Sequence, residues 1–259
     1  MKQKSTGIVV MQREIAPSIF DLWIRTELAK EAKPGQFIGV FPKDKSTLLP
    51  RPISICEVNE ARTELRIVYR IVGQGTAEFS KWNTGEEVQV LGVLGNGFPV
   101  EEGKGKRIIL MGGGIGVPPM LQLAKALSKE AAEVICVMGY RDEKTFLKKD
   151  LEQYGKVVIA TEDGSVGTKG NVLDAIRENG LEADVIMACG PMPMLRAIKA
   201  FAAEKQIPAY ISLEEHMACG VGACLGCVVK TKEVDHHSHV HNARICTDGP
   251  VFEAGEVEI

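Results

Sequence analysis

Residues 107–119 read RIILMGGGIGVPP, in which an apolar run leads through a glycine-rich turn to two prolines. The run suits a buried strand, and the residues after the turn open a helix. Strands predicted at Ile108–Met111, Val134–Met138, Val157–Ala160 and Val185–Ala188 alternate with helices predicted at Val117–Lys129, Lys144–Tyr154, Asn171–Glu178 and Met192–Gln206. Apolar strands that alternate with helices indicate a doubly wound α/β domain, with a parallel sheet covered on both faces.

The sequence before this domain has a different rhythm. Short runs with period-two character are predicted as strands at Thr6–Gln12, Ile19–Thr26, Gln36–Pro42, Arg51–Val58, Glu64–Ile71 and Glu87–Leu94. Residues 75–82 interrupt them as a brief helix. Short strands at near-regular spacing predict an antiparallel barrel or sandwich.

The rhythm changes at residues 101–106, EEGKGK, a polar link that contains glycine. After about Ser212 the alternation of strands and helices stops, and a cysteine-rich segment begins. We therefore expect three domains, at residues 1–102, 103–212 and 213–259.

The composition excludes several classes of protein. The 259 residues carry a formal net charge of −3, so no basic surface favours nucleic acid or anionic lipid. No apolar stretch approaches the length of a membrane span, and the N-terminal apolar run is too short for a signal peptide. We predict a cytoplasmic protein, a compartment in which disulfides are rare.

The seven cysteines form two groups. Cys56, Cys136 and Cys189 lie in apolar surroundings and are predicted to be small buried residues. The others are Cys219, Cys224, Cys227 and Cys246, in which four, two and eighteen residues separate successive thiols. This C-x4-C-x2-C…C spacing matches the known ligand spacing of plant-type two-iron, two-sulfur clusters. Glycines between the first three would let the loop bend tightly around the cluster.

Other metal chemistry has weaker support. Zinc sites show paired C-x2-C knuckles, and only one such pair is present. An odd number of cysteines in a reducing compartment argues against a disulfide framework. Residues 235–241, DHHSHVH, hold four of the five histidines and could chelate a transition metal, although a solvated polar loop is the simpler interpretation.

Two turns at strand ends indicate a nucleotide site. Gly112, Gly113, Gly114 and Gly116 follow the first strand of the α/β domain, and Cys189-Gly190-Pro191 follows a later one. Ligands of open α/β sheets bind beyond the carboxyl ends of the strands, so these turns are expected to share one crevice. The first turn lacks the last glycine of a dinucleotide fingerprint, and alone it fits any doubly wound fold.

The predicted barrel carries features suited to a second pyrophosphate. Arg51-Pro52-Ile53-Ser54 lies on one strand, Val68-Tyr69-Arg70 on a later one, and Gly75-Thr76 at the start of the short helix. An arginine, a serine and a glycine turn can bind phosphate oxygens. Each is common alone, and only their order before a nucleotide-type domain is informative.

Together these motifs resemble the ferredoxin–NADP reductase superfamily, in which a flavin-binding barrel precedes a nicotinamide-binding α/β domain. With MACGVGACLGC and RICTDGPVF added, essentially the whole chain is similar to the electron-transfer subunits of type B dihydroorotate dehydrogenases. The resemblance implies an antiparallel FAD-binding barrel, a doubly wound NAD-binding domain and a small C-terminal iron–sulfur domain.

The resemblance also implies a role for each motif. Arg51–Ser54, Val68–Arg70 and Gly75-Thr76 would bind FAD, and the four clustered cysteines would hold a 2Fe–2S cluster. Residues 112–119 and 189–192 would contact NAD. One departure is Ile53, where the superfamily often has a tyrosine that stacks on the flavin; Tyr69 is a candidate substitute. The residues alone leave the acceptor open between NAD and NADP, because residues 161–163 would repel a 2′-phosphate whereas Arg141 would attract one.

In that family, dihydroorotate is oxidised at FMN on a catalytic subunit, and electrons pass through the cluster and FAD to NAD⁺ in pyrimidine (UMP) biosynthesis. The resemblance implies a heterotetramer with two copies of each subunit. Met217, Val221 and Leu225 are expected to flank the cluster at the partner surface. Two alternatives stay open: a related reductase subunit serving ferredoxin, sulfite or sulfide chemistry, and a zinc-stabilised nucleotide-binding regulator.

Overall fold

Residues 3–234 and 239–259 are described by a computed structural model. Residues 3–94 form a closed antiparallel barrel. Its strands are β1 (Gln3–Ala16), β2 (Ile19–Arg25), β3 (Phe37–Phe41), β4 (Arg51–Val58), β5 (Glu64–Arg70) and β6 (Glu87–Leu94), and helix α1 (Gln74–Phe79) follows β5. The strand order around the barrel is β1-β2-β5-β4-β3-β6. Alternate residues such as Leu65 and Ile67 fill its interior, as period-two patterning requires. Of the two architectures predicted, the barrel is therefore correct.

The α/β domain follows the predicted alternation. Its parallel strands are β7 (Arg107–Gly113), β8 (Glu133–Tyr140), β9 (Lys156–Thr161), β10 (Thr168–Lys169), β11 (Val185–Cys189) and β12 (Ala209–Ser212); its helices are α2 (Pro118–Leu127), α3 (Lys148–Leu151), α4 (Val172–Glu178) and α5 (Met192–Lys205). Ile108 and Leu110 of β7 pack in the core that contains α2, whereas Ile109 and Met111 pack in the core that contains α5. The sheet is therefore covered on both faces.

The C-terminal segment is divided between two sheets. Strands β13 (Val228–Thr231), β14 (Asn242–Arg244) and β16 (Val257–Glu258) form a small antiparallel sheet in the order β14-β13-β16. Strand β15 (Val251–Glu253) instead pairs antiparallel with β12. It completes the large sheet, whose order is β10-β9-β8-β7-β11-β12-β15. The cysteine-rich segment is thereby attached to the nucleotide-type domain.

One predicted helix is wrong in length. Residues 144–154 were predicted to be helical, but α3 contains only Lys148–Leu151. The Asp142 carboxylate accepts a hydrogen bond from the Lys144 amide, 2.9 Å away, and Leu147 adopts a left-handed conformation with φ of 64°. This local turn chemistry delays the start of the helix. Within residues 3–234 and 239–259, no helix is both long and apolar enough to cross a membrane.

Candidate redox site

Residues 219–227, which we call the cysteine loop, fold their backbone around the Cys219 sulfur. The amides of Val221 and Ala223 donate hydrogen bonds to Cys219 Sγ, at 3.4 and 3.3 Å. Gly220 and Gly222 have φ of 68° and 81°, which a side chain would disfavour. Burial alone would raise the pKa of the Cys219 thiol, but the hydrogen bonds from backbone N–H groups outweigh it and lower the pKa to about 7. The loop therefore stabilises negative charge on sulfur.

The small antiparallel sheet brings the fourth cysteine to the loop. Val228 of β13 pairs with Arg244 of β14, and the amide of Ile245 donates to the carbonyl of Cys227 at 2.8 Å. This ladder places Cys246 next to Cys227, within hydrogen-bonding reach of its thiol. Burial, followed by the interaction with Cys227, raises the pKa of Cys246 to about 12.

The four thiols form two pairs. The Cys219 thiol interacts with Cys224 and the Cys246 thiol with Cys227, and Cys219 and Cys246 also interact electrostatically. No three Cys, His, Asp or Glu side chains in the described ranges are grouped tightly enough to hold a single metal ion. Two pairs of thiolates suit a two-iron cluster, in which each iron takes two cysteines, better than one tetrahedral zinc. The donor set therefore fits the group that the spacing predicts.

The cysteine segment packs directly on the barrel. Cys227 and Cys246 share a buried core with Phe37 of β3 and Leu94 of β6. A Cβ atom on Gly220 would lie 3.2 Å from Leu94 Cδ1. Asn96, just beyond β6, donates its side-chain amide to the carbonyls of Thr247 and Asp248 at 3.1 and 3.0 Å. The candidate cluster site is thus fixed to one side of the barrel.

Arg51 lies against the turn that opens α1. A Cβ atom on Gly75 would be 2.8 Å from Arg51 Nε, so only glycine leaves room for the guanidinium. Thr76 Oγ1 accepts hydrogen bonds from the amides of Val72 and Gly73 at 3.0 and 3.3 Å, which orders the same turn. The arrangement brings a permanent positive charge to the predicted pyrophosphate position.

Strand β5 does not supply the aromatic surface that was expected. The Tyr69 ring is buried in the barrel core, where it stacks on Phe20 and meets Phe79 edge-on, and its hydroxyl donates to Gln12 Oε1 at 2.9 Å. Its ring is therefore not free to stack on a flavin. Val68 is also buried, between the domains. Pro52, Ile53 and Ser54 stay half-buried and accessible on β4.

The two turns of the nucleotide-type domain pack tightly together. A Cβ atom on Gly116 would lie 2.4 Å from the Cys189 carbonyl oxygen. The amide nitrogen of Gly113 would be 3.2 Å from a Cβ atom on Gly190. Both turns lie at the carboxyl ends of adjacent parallel strands, because Cys189 of β11 is in register with Gly112 of β7. They share one crevice edge, as predicted for Gly112–Pro119 and Cys189–Pro191.

Arg70, the last residue of β5, reaches this crevice. A Cβ atom on Gly114, whose φ is 54°, would lie 3.6 Å from Arg70 Nη2. Around the barrel, β4 and β3 lie between β5, which carries Arg70, and β6, which contacts the cysteine loop. The RPIS strand therefore lies between the glycine-rich turn on one side and the cysteine loop on the other.

Comparison with known proteins agrees with this arrangement. The family model described as the iron-sulfur cluster binding domain of dihydroorotate dehydrogenase B matches residues 214–258, and the oxidoreductase NAD-binding domain matches residues 110–200. Proteins from Streptococcus mutans and Bacillus mycoides, each named dihydroorotate dehydrogenase B (NAD(+)), electron transfer subunit, are 43% identical to this chain. The alignments cover 98% of both chains for the former and 99% for the latter.

The chain belongs to the family of dihydroorotate dehydrogenase B electron transfer subunits. A solved structure described as an NADH-dependent reduced ferredoxin–NADP oxidoreductase, studied for flavin-based electron bifurcation, superposes with a TM-score of 0.86. It is 29% identical and covers 100% of this chain and 91% of its own. A ferredoxin NADP⁺ reductase from Neisseria gonorrhoeae, 16% identical, has a TM-score of 0.66 over 78% of this chain and 91% of its own, which supports the shared fold.

Sequence reasoning missed two residues beside the crevice of this family member. Ser212 ends β12, and Glu214 follows it; both interact with the buried Cys189 thiol. Burial raises the pKa of Cys189, Glu214 adds to the increase, and the Ser212 hydrogen bond opposes it. Surrounding protein also raises the pKa of Glu214, although its side chain is exposed, and Arg70 opposes that shift. The position after a strand's carboxyl end could have indicated both residues.

The remaining predicted features are resolved to different extents. Cys56, Cys136 and Cys189 are buried, as predicted. Val221 and Leu225 are exposed beside the cysteines, whereas Met217 is half-buried against the core. Residues 235–238 of the histidine-rich loop lie outside the described residues; a His241 ring nitrogen is 3.0 Å from the Lys232 carbonyl oxygen, a contact within its hairpin.

Proposed function

We propose that this chain is the electron-transfer subunit of a dihydroorotate dehydrogenase B. It accepts electrons from an FMN-containing catalytic subunit and delivers them to NAD⁺, in the pathway that makes UMP. The observation that carries the proposal is the position of β4, between the glycine-rich turn that Arg70 reaches and the cysteine loop that packs on β6. The proposed sites for the three redox groups would thereby be contiguous on one face of the barrel.

The chemistry explains why three groups are needed. A 2Fe–2S cluster exchanges single electrons, FAD exchanges one or two, and nicotinamide takes a hydride, so the flavin must stand between the other two. The chain contributes the binding groups: four thiolates, the Arg51 cation beside Gly75, and the paired turns at Gly112–Gly116 and Cys189–Pro191. The backbone N–H groups that donate to Cys219 would favour the reduced, more negative cluster.

We assign these tasks to three parts of the chain, FAD binding to residues 1–102, NAD binding to 103–212 and cluster binding to 213–259. The assembly is proposed as a heterotetramer with two copies of each subunit, and its location as the cytoplasm. Dihydroorotate itself would bind only to the catalytic subunit. The alternative that retains support is a reductase subunit serving a ferredoxin, because the structural relative with a TM-score of 0.86 is described as such an enzyme.

Reconstitution tests the proposal. The chain is purified anaerobically and mixed with an FMN-containing dihydroorotate dehydrogenase subunit, and NADH formation is followed at 340 nm after dihydroorotate is added. We expect flavin and iron–sulfur absorption bands in the chain alone, and NADH only when both proteins and dihydroorotate are present. A colourless, zinc-loaded chain would favour the regulator. Normal spectra with electron transfer only to ferredoxin would favour the alternative reductase.

A further inference from the structure

The loop between β3 and β4 is longer than its connection requires. These neighbouring strands pair antiparallel, and a hairpin of this kind commonly needs two to five residues. Here β3 ends at Phe41 and β4 begins at Arg51, so nine residues connect them. Near its end lie Leu48 and Leu49, whose exposed fractions are 78% and 50%.

Hydrogen bonds hold this loop in a defined shape. The amides of Lys43 and Asp44 donate to the two carboxylate oxygens of Glu78 on α1, at 2.6 and 3.1 Å. The amide of Thr47 donates to the Asp44 carbonyl at 3.0 Å, and the Arg51 guanidinium donates to the Leu49 carbonyl. An ordered backbone therefore holds the two leucines in solvent, where they lack the favourable free energy of apolar burial.

The base of the loop, at Pro50, lies on the side of the barrel that carries the cysteine loop. A Cβ atom on Gly39 of β3 would lie 3.1 Å from Pro50 Cβ and 3.5 Å from Leu91 Cβ. Leu91 Cδ2 would in turn be 4.0 Å from a Cβ atom on Gly220. A single leucine side chain thus separates the base of the β3–β4 loop from the cysteine loop.

Both loops expose aliphatic side chains. Val221 and Leu225 project from the cysteine loop, and Leu225 is 63% exposed. We group them with Leu48 and Leu49 under the name cluster-side apolar face. An exposed apolar patch beside a functional group is typical of a binding surface.

We propose that the cluster-side apolar face docks the FMN-containing catalytic subunit, with Leu48 and Leu49 as an anchor separate from the cysteine loop. The proposal rests on the proposed function. Electrons can reach the thiol cluster only if the partner covers its exposed edge, where Cys224 lies. A stable interface buries about 800 Å² on each partner, more than the cysteine loop's two side chains supply. Leu48 and Leu49 on the β3–β4 loop would supply further apolar surface to the same partner.

Charge substitution tests the anchor in the full holoprotein. Leu48→Asp is compared with Val234→Asp, a matched control at a 43% exposed valine in the β13–β14 hairpin. For each, we measure flavin and iron content, NADH-dependent reduction of ferricyanide, and the Kd for the catalytic subunit. We expect Leu48→Asp to raise that Kd by about tenfold or more, with cofactors and ferricyanide reduction unchanged, and Val234→Asp to match wild type. An excess of catalytic subunit should restore dihydroorotate-dependent NADH formation.

Three outcomes would overturn the proposal. One is an unchanged Kd for Leu48→Asp. Another is that Leu48→Asp abolishes self-association of the chain while its Kd for the catalytic subunit is unchanged. That result would assign the face to contact with a second copy of this chain. The third is loss of flavin, which would mean that Leu48 supports the cofactor. If the wild-type chain binds no catalytic subunit at all, the proposed function fails, a result distinguishable from failure of the anchor alone.

Discussion

The guanidinium of Arg66, on β5 of the barrel, lies 2.8 Å from the carboxylate of Asp150, on α3 of the nucleotide-type domain. Arg66 is buried, and it also makes two hydrogen bonds to the buried Asp21 of its own barrel, at 2.8 and 3.0 Å. Nearby, Lys125 of α2 pairs with Glu57 of β4 at 2.9 Å. These contacts fix the two domains, and hence the proposed flavin and nicotinamide sites, relative to one another.

The contact across the domains predicts a kinetic effect. Replacing Asp150 by alanine should slow the reduction of bound FAD by NADH by about tenfold, because small misplacements of reacting groups cost large factors in rate. Retention of FAD and cluster should not change. Stopped-flow absorbance of the flavin measures the rate, and Glu152→Ala, at the same helix end, is the control. An unchanged rate in Asp150→Ala would mean that the remaining packing sets the orientation.

The contact within the barrel predicts an effect on stability instead. Asp21→Asn leaves the buried Arg66 charge without its main partner, and breaking a buried pair in this way costs about 3–5 kcal/mol. Arginine stays protonated in proteins, so the Arg66 charge persists in the variant, with Asp150 and Glu57 as its remaining partners. When urea unfolding is monitored through the release of flavin, the urea concentration at the midpoint should therefore be much lower for Asp21→Asn than for Asp150→Ala. Equal midpoints would contradict this division of roles.

The predicted cluster ligands can be tested one at a time. Cys224→Ser should abolish the iron–sulfur absorption and dihydroorotate-linked NADH formation, while FAD and the reduction of ferricyanide by NADH are retained. Cys224 is exposed, so its loss should not unfold the chain. Ala223→Ser, which preserves the backbone N–H group that donates to Cys219, should keep the cluster. Survival of dihydroorotate-linked turnover in Cys224→Ser would refute the assigned role.

Some features of the fold could be predicted from local sequence patterns, whereas others depend on tertiary contacts that leave no pattern in the sequence. Strand β6 and strand β4 have the bounds that period-two patterning predicts. The same patterning could have placed Tyr69 in the barrel, since Leu65 and Ile67 precede it at alternate positions. Strand β15 is too short to carry a pattern, and its pairing with β12 is a tertiary effect. The spacing of the cysteines predicted the ligands, but the β13–β14 ladder explains how Cys246 reaches them.

The choice between NAD and NADP is open to a direct test. Glu162 and Asp163 follow β9 beside Arg141, since the Asp163 amide donates to the Arg141 carbonyl at 3.4 Å. Hydrogen bonds from Ser165 lower the pKa of Asp163, so it is charged at neutral pH and would repel a 2′-phosphate. The double variant Glu162→Gln, Asp163→Asn should raise kcat/KM for NADPH relative to NADH by about tenfold. Adding Arg141→Ala to the double variant should remove that gain. If neither variant changes the ratio of kcat/KM for NADPH to that for NADH, other residues determine the selectivity.

The contact between Arg51 and Gly75 predicts that two different substitutions weaken FAD binding. Arg51→Ala removes a charge-assisted hydrogen bond worth about 1.5–3 kcal/mol, so the Kd for FAD should rise by about tenfold or more. Gly75→Ala keeps the arginine but places a Cβ atom 2.8 Å from its Nε, so the guanidinium must move and the Kd should rise as well. Equilibrium dialysis measures both, with Arg25→Ala, a surface ion pair on the same barrel, as the control. If Gly75→Ala binds FAD normally while Arg51→Ala does not, the arginine acts from a different position than the one it occupies beside α1.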